Sequence, residues 1–302
     1  MPLGIRPTVD FAFKLLFGSE ENKDLLIHLL NSVLEPEAPV EEVWIENPFN
    51  EKSFEDDKLS IVDVKARDST GAWYIIEVQT TVPDELSNRL VYYTSKLYTD
   101  QMREGQSYGE LSPAASICFL SGSLFPDVQA GHLRFELYDP TEKLSFSDQF
   151  HVHLIELPKF DVAEEDLGGA SVLDRWVYFM KASQRLEADQ LRRLLPTAPF
   201  PKATGVLEMI SRDPKLRQLY EDRAKEERDR LSMIKDTRAK ALAEGEALGR
   251  AEGKAEGKIV GQIQTLQEVL DLPVTAESVL SETSEADLNK LISELREQIQ
   301  NR

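Results

Sequence analysis

The chain has 302 residues, with 54 acidic and 35 basic side chains, so its formal net charge is −19 at pH 7. This acidic excess argues against a protein that coats nucleic acid by bulk attraction, because phosphate contacts need Lys and Arg. A local basic strip with a bound divalent cation would still offset the negative charge near one site.

The single cysteine, Cys118, excludes a disulfide framework within the chain. No apolar run approaches the roughly 18 residues that span a bilayer, and the N-terminus lacks a signal-peptide pattern. We therefore expect a cytoplasmic protein without membrane contact.

Residues 8–34 have helical apolar spacing, interrupted near Gly18, which predicts one or two helices. Asp10, near the predicted start, is either a capping or first-turn acid or a functional carboxylate. Lys14 follows one turn later, and the simplest interpretation is an i, i+4 ion pair with Asp10. Residues 40–49 favour a strand or extended link, and a polar, acidic loop follows over residues 50–58.

Residues 59–81 contain two β-branched and aromatic runs around an Asp-Ser-Thr-Gly turn, which predicts a β-hairpin. Because side chains alternate along a strand, Glu77 and Gln79 share one face of the second strand. Asp63 and Lys65 likewise share one face of the first. Asp63 and Glu77 are then expected mid-strand among apolar neighbours, where an ionised carboxylate is costly unless it is paired or metal-bound. Together they could hold one hard divalent cation through oxygen ligands; the simpler alternative is a solvated face.

Residues 84–104 predict a long helix after Pro83, with Arg89 and Lys96 repeating at helical spacing. One interpretation is that these two cations contact phosphate. The alternative is an amphipathic scaffold helix with ordinary surface cations.

Three further strands are predicted at residues 114–125, 132–138 and 150–157. His151 and His153 share a face of the last strand. No third ligand with suitable spacing accompanies them, so we favour the exposed face of an edge strand over a zinc site.

The C-terminal half is predicted to be helical, with a glycine repeat between residues 239 and 261. Glycine recurs there every four residues, at Gly245, Gly249, Gly253, Gly257 and Gly261. A helical glycine costs about 1 kcal/mol relative to alanine. A helix here would therefore favour close helix-to-helix contact, and hence a homo-oligomer; the alternative is a flexible linker. The expected domains are a core over 1–160, a helical extension over 161–238, the glycine-repeat helix or linker over 239–262, and a small helical tail over 263–302.

Asp63, the hairpin and the sequence Glu77-Val78-Gln79 together resemble the PD-(D/E)XK nuclease core, with Gln in place of the usual Lys. More narrowly, they resemble the recombination-promoting nuclease (Rpn) family of transposase-like proteins. Supporting stretches occur in the same order in that family, and the resemblance covers roughly residues 5–160. These stretches are Asp10–Gly18, Asn88–Tyr98, Gly105–Tyr108 and Leu111–Pro113.

The resemblance implies an α/β fold, a PD-(D/E)XK restriction-endonuclease-like core with a mixed central sheet flanked by helices and a helical C-terminal extension. It implies a metal-dependent DNA endonuclease linked to recombination or transposon-like mobility. Asp63 and Glu77 would bind Mg²⁺ or Mn²⁺, with Asp10 as a further acidic member. Gln79 could orient a water molecule but carries no charge, and Lys65 could supply the missing charge.

A second hypothesis is a nuclease-like fold that acts as a binding or assembly module through its helical C-terminal third. The acidic net charge and the missing lysine favour it. The retained Asp63 and Glu77 oppose it.

Overall fold

The computed structural model describes residues 1–49 and 63–301. Its centre is a mixed sheet made of β1 (Val43–Ile45), β2 (Val64–Asp68), β3 (Trp73–Gln79), β4 (Ala114–Leu120), β5 (His132–Asp139) and β6 (Leu144–Glu156). These strands lie in the order β1-β2-β3-β4-β6-β5. The β3–β4 and β4–β6 pairs are parallel, and the β1–β2, β2–β3 and β5–β6 pairs are antiparallel. The predicted α/β architecture is confirmed, while the predicted acidic loop at 50–58 and residues 59–62 of the hairpin lie outside the described residues.

The helices of the described residues flank this sheet or follow it in the chain. They are α1 (Asp10–Phe17), α2 (Lys23–Leu34), α3 (Leu86–Thr99), α4 (Val172–Ala182), α5 (Ala188–Leu194), α6 (Phe200–Arg212), α7 (Pro214–Val269), α8 (Glu277–Ser281) and α9 (Glu285–Gln300). Short 3₁₀ turns lie at Glu20–Asn22, Tyr108–Glu110, Leu157–Lys159 and Glu164–Asp166. No described helix is long and apolar enough to cross a membrane.

The predicted hairpin forms between β2 and β3, and its turn is fixed by Asp68. The buried Asp68 carboxylate accepts hydrogen bonds from the backbone N–H groups of Thr70 and Ala72 and from the Tyr74 hydroxyl. Gly71 has φ +93°, and a Cβ there would lie 2.7 Å from the Ser112 hydroxyl, so this turn position requires glycine. A fixed turn sets the pairing register of the two strands, and hence the faces on which their side chains lie.

One face of the sheet packs against α1 and α2, and the other against α3. On the first face, Ile76 and Val78 belong to a large core that includes Phe13 of α1, whose ring stands 6.2 Å from that of Phe119. On the second face, a hydrogen bond of 2.6 Å between the Thr94 and Ser116 hydroxyls joins α3 to β4. Since both groups are buried, this bond sets the position of α3 above the sheet.

Helices α4 and α6 complete the same core rather than forming a separate one. Trp176 is fully buried between Phe17 and Phe200, and its indole N–H donates to His28 at 2.9 Å. The chain divides into two compact units, residues 1–229 and 230–302. The first unit contains the whole described sheet.

The second unit contains the C-terminal part of α7 together with α8 and α9. The glycine repeat lies within the continuous helix α7 and not in an irregular linker. The small core of this unit buries apolar residues of the three helices and of the turn that follows α7: Val260, Ile263, Leu270, Leu280, Leu288, Ile292 and Leu295. The last helix, α9, has an N-cap, because the Ser284 hydroxyl accepts a hydrogen bond from the Asp287 N–H.

The expectation that His151 and His153 lie on an edge strand is wrong. Strand β6 is paired on both sides, by β4 and by β5. His153 is buried, stacks on His132 and shares a ring-nitrogen hydrogen bond of 3.0 Å with it. Burial lowers the pKa of His153 to about 3. Strand β5 pairs with β6 and brings His132 against His153, a contact that spacing within a single strand does not reveal.

Candidate active site

Glu77 lies near the end of β3 on the face that α3 covers. It is 1 % exposed and stands opposite Cys118 of β4 in the sheet register. The alternation predicted for β3 is confirmed, because Ile75, on the same face as Glu77, packs against α3, whereas Ile76 and Val78 join the opposite core. A carboxylate is thereby placed in an apolar setting.

Asp63 immediately precedes β2, so its carboxylate comes from the lead-in to the strand and not from mid-strand. The register pairs Val64 with Ile76, which sets Asp63 beside Glu77 on the neighbouring strand. The Asp63 Oδ2 atom accepts a hydrogen bond of 2.7 Å from the backbone N–H of Val78. The hairpin therefore brings the two carboxyl groups to one end of the β2–β3 pair.

Helix α1 adds Asp10 and Lys14 to this end of the sheet. The Lys14 ammonium lies 3.0 Å from Asp10 Oδ1, and the lysine side chain is only 10 % exposed. Gly18 lets the end of α1 approach β2, since a Cβ there would meet the Lys14 carbonyl at 2.9 Å and Val64 at 3.4 Å. The predicted Asp10–Lys14 ion pair is present, but it lies within the site.

The surroundings of Asp63 make its ionisation unfavourable. Burial raises the pKa of Asp63 well above its usual range, and the Asp10 carboxylate raises it further by repulsion and by a hydrogen bond between the two carboxyl groups. The hydrogen bond from Val78 and the charge of Lys14 act in the opposite direction. Among the described lysines, it is Lys14 rather than Lys65 whose charge acts on Asp63.

Within the described part of the chain, Glu77 has one cationic neighbour, Arg89 of α3. A guanidinium nitrogen of Arg89 and the Gln79 amide nitrogen both lie 3.3 Å from Glu77 Oε2. Burial raises the pKa of Glu77, and Arg89 followed by Gln79 partly offsets this. The other oxygen, Oε1, is buried and has no hydrogen-bond partner among the described residues.

Cys118 of β4 lies beside Glu77 in the sheet register, among the apolar side chains under α3. Burial raises the pKa of its thiol well above the usual range, and the negative charges of Glu77 and Asp63 add to the effect. The thiol is therefore neutral and acts as a small apolar core group.

Lys65 is on the same face of the hairpin as Glu77 but lies against an aromatic ring. Its ammonium stands 4.8 Å from the centre of the Trp73 ring. The Arg67 guanidinium stands 5.6 Å from that ring and 5.7 Å from the Trp44 ring. We call Lys65, Arg67, Trp44 and Trp73 the cation–tryptophan strip.

Lys96 does not reach the two carboxyl groups. It is exposed on α3, two turns beyond Arg89 and on the same side of the helix. Among the predicted cations, the structure therefore brings Arg89 to Glu77, and it leaves Lys96 and Lys65 at the surrounding surface.

The two carboxyl groups and the unpartnered Oε1 of Glu77 suit a hard divalent cation. Such an ion takes carboxylate oxygens as ligands and would reverse the rise in both pKa values. Within residues 1–49 and 63–301, no group of three or more His, Cys, Asp or Glu side chains is arranged to hold a metal ion. Among the described residues, Asp63 and Glu77 are those that would hold such an ion.

Lys14 is the residue whose place in the site the sequence did not reveal. The one available signal was its position in an otherwise apolar helix, where a lysine is seldom buried without a paired charge. That signal does not distinguish a local ion pair from a charge that acts on the hairpin.

The family comparison agrees with this arrangement. A family model described as "PD-(D/E)XK nuclease family transposase" matches residues 7–237, which include Asp10, Asp63, Glu77 and Gln79. The match confirms the resemblance and extends beyond the residues on which it was recognised.

No curated protein and no solved structure matches the chain. Membership of such a family indicates a nuclease- or transposase-like function and implies DNA as a partner. The chain belongs to the PD-(D/E)XK nuclease family transposases.

Proposed function

We propose that the chain is a DNA endonuclease that requires Mg²⁺ or Mn²⁺. Asp63 and Glu77 would form the site at which it hydrolyses the phosphodiester bonds of DNA. The observation that carries this proposal is the buried Glu77 carboxylate, whose Oε1 has no partner among the described residues, beside a second carboxyl group with a raised pKa. Family membership supports it. A cytoplasmic location and a role in DNA recombination or mobility are parts of the same proposal.

The carboxylates of Asp63 and Glu77 would hold the ion. When bound, a divalent cation lowers the pKa of a water molecule and stabilises charge on the scissile phosphate. The hydrogen bond from Val78 fixes the orientation of Asp63, and Arg89 and Gln79 fix that of Glu77. These contacts hold both oxygen ligands in place before DNA binds.

Gln79 occupies the position where the family motif has lysine. Its amide can orient the attacking water through a hydrogen bond but cannot stabilise charge as an ammonium does. We propose that Lys14 and Arg89 supply the positive charge, because Lys14 acts on Asp63 and Arg89 contacts Glu77. Lys65 is then better placed to contact DNA than to assist the reaction.

DNA would approach along the cation–tryptophan strip and α3. Lys65, Arg67, Arg89 and Lys96 all carry positive charge on or beside the face of the sheet that contains Glu77. Such a local group of cations can bind phosphates in spite of an overall charge of −19.

The test is cleavage of supercoiled plasmid with Mg²⁺, Mn²⁺ or EDTA. Wild type should nick DNA only with metal. Glu77→Gln, which keeps the shape of the side chain, should lower the rate by about 10²-fold or more, on the scale of losing one charge-stabilising group. The exposed Glu104→Gln serves as the matched control and should cleave like wild type.

Circular dichroism of each variant shows whether the fold is intact. A folded wild type that leaves plasmid intact with either metal would exclude the nuclease proposal. It would support the alternative of a nuclease-like binding or assembly module.

A further inference from the structure

Strand β5 lies at one end of the strand order in the described part of the sheet. An edge strand presents unpaired backbone N–H and C=O groups, and proteins usually protect such an edge with proline, lysine or a bulge in the strand itself. Residues 132–139 contain neither proline nor lysine. The register shifts near Glu136 and Leu137 arise from extra residues in β6, since their partners are His151 and Ser147, so β5 continues without insertion.

Apolar side chains lie exposed along this edge. Phe135 is 43 % exposed and Leu137 46 %, in the same strand as Leu133, which packs under α3. The Phe135 ring stands 5.7 Å from that of Phe125. The apolar side of β5 thus continues the core under α3 out to the edge of the described sheet. A row of exposed apolar side chains on a strand edge is typical of a surface that pairs with another strand.

The sequence of β5 is complementary to itself in the antiparallel direction. If two copies pair about a two-fold axis at Phe135, Arg134 stands opposite the partner's Glu136, and Glu136 opposite the partner's Arg134. Leu133 then stands opposite the partner's Leu137 on the apolar side. Opposite charges and apolar pairs in these positions stabilise antiparallel strands, and a two-fold contact forms each pair twice.

The backbone direction fits the same axis. The Gly131 carbonyl accepts from the Glu156 N–H of β6, so the backbone groups of Gly131, Leu133 and Phe135 point towards β6. Those of Arg134 and Glu136 point to the free edge, where they would bond to one another across the axis. Phe135 then forms a pair without backbone bonds, in which facing side chains come closest.

We propose that the protein forms a two-fold dimer through β5, with a second copy of this chain as the partner and one continuous sheet across the interface. Association through β5 is independent of the proposed nuclease activity, and its test measures mass and cross-linking rather than cleavage. A single shared strand lies at the low end of specific interface areas, so the dimer should depend on protein concentration.

The first test is sedimentation velocity of the full chain over the micromolar range. Wild type should shift from monomer to dimer as concentration rises. Arg134→Glu should weaken association by about tenfold or more, because it places two acids opposite each other. The double variant Arg134→Glu/Glu136→Arg restores complementarity and should dimerise like wild type. A wild type that stays monomeric throughout, or a dimer unaffected by Arg134→Glu, would overturn the proposal.

The second test fixes the register by disulfide trapping. Under mild oxidation Phe135→Cys should cross-link to its own copy, because Cα atoms in such a pair are about 4.5 Å apart. The similarly exposed Leu137→Cys is the matched control, since in this register its own copy lies beyond the roughly 7 Å limit for a disulfide. Cys118 is buried and should not compete. Equal cross-linking of the two variants would contradict pairing at Phe135.

Discussion

Asp63 and Glu77 are held in positions where burial opposes their ionisation. Each has one backbone or side-chain donor that fixes its orientation, and each has a cation nearby, but in both cases the net effect is a raised pKa. A group in that condition destabilises the folded chain once the pH exceeds its ordinary pKa. Two buried carboxyl groups with raised pKa values are explained if a divalent cation binds them and supplies the positive charge that stabilises their ionised form.

Replacement of Asp63 by Asn should therefore stabilise the metal-free protein at neutral pH. Because the folded-state pKa is raised, the cost is absent below the unfolded carboxyl pKa of about 3.9 and grows as pH rises above it. Asp63→Asn should raise Tm at pH 7.5 and change it little at pH 4. Scanning calorimetry in EDTA measures both values, with the exposed Asp127→Asn as control.

The same variant should lose its response to metal. Mg²⁺ or Mn²⁺ should raise the Tm of wild type, because an ion that binds only the folded state stabilises it. The shift should be small in Asp63→Asn. Equal shifts in both proteins would place the bound ion away from Asp63.

At the scale of single elements, the cation–tryptophan strip bears on which role Lys65 has. The sequence alone did not distinguish a lysine that supplies charge at the site from one that contacts DNA. Alternation along the first strand predicted that Lys65 shares a face with Asp63, and the structure places Lys65 opposite Ile75, on the face of Glu77. The contact of Lys65 with Trp73 depends on the neighbouring strand β3.

Loss of both strip cations should weaken DNA binding without unfolding the hairpin. In Lys65→Gln/Arg67→Gln, the slope of log K against log salt should fall by about two, one for each lost phosphate contact. Fluorescence anisotropy in EDTA measures this slope, and the exposed Lys225→Gln is the control. An unchanged slope would mean that these cations only pack against the two tryptophans.

The five glycines of the α7 repeat do not pack closely against another helix within the described residues. A Cβ built on any of its five glycines meets nothing within 4 Å among the described residues. Self-association along this stripe stays a prediction. A dimer that survived every β5 variant would direct attention to it.

The sequence was sufficient for the features that depend on neighbours along the chain. The hairpin follows from its turn residues, and the shared face of Glu77 and Gln79 follows from alternation. The sequence was not sufficient to predict contacts between elements that are far apart in the chain. The Lys14 charge acts on Asp63 only because α1 packs at the end of β2, and His153 stacks on His132 only because β5 pairs with β6. Such contacts depend on strand order and helix packing, which local spacing does not encode.

At the scale of the whole molecule, a dimer through β5 would join two candidate sites in one sheet. Glu77 lies on β3, and the strand order sets the two copies of that residue roughly 35 Å apart at about 4.8 Å per strand spacing. A two-fold axis perpendicular to the sheet at Phe135 relates the two copies of Glu77 to each other. That separation is close to one turn of B-DNA, roughly 34–36 Å, so two nearby cuts in one duplex become possible.

Dimerisation should therefore control the type of cut rather than the chemistry. Above the concentration at which wild type dimerises, plasmid should become linear directly. Phe135→Lys places a charge at the centre of the paired edge and should leave nicked circles as the main product, with little change in the first nicking rate. Gel analysis of early time points separates the two products, and Arg134→Glu/Glu136→Arg should behave like wild type. Direct linear product from a Phe135→Lys protein shown to be monomeric would mean that paired cuts do not need the β5 contact.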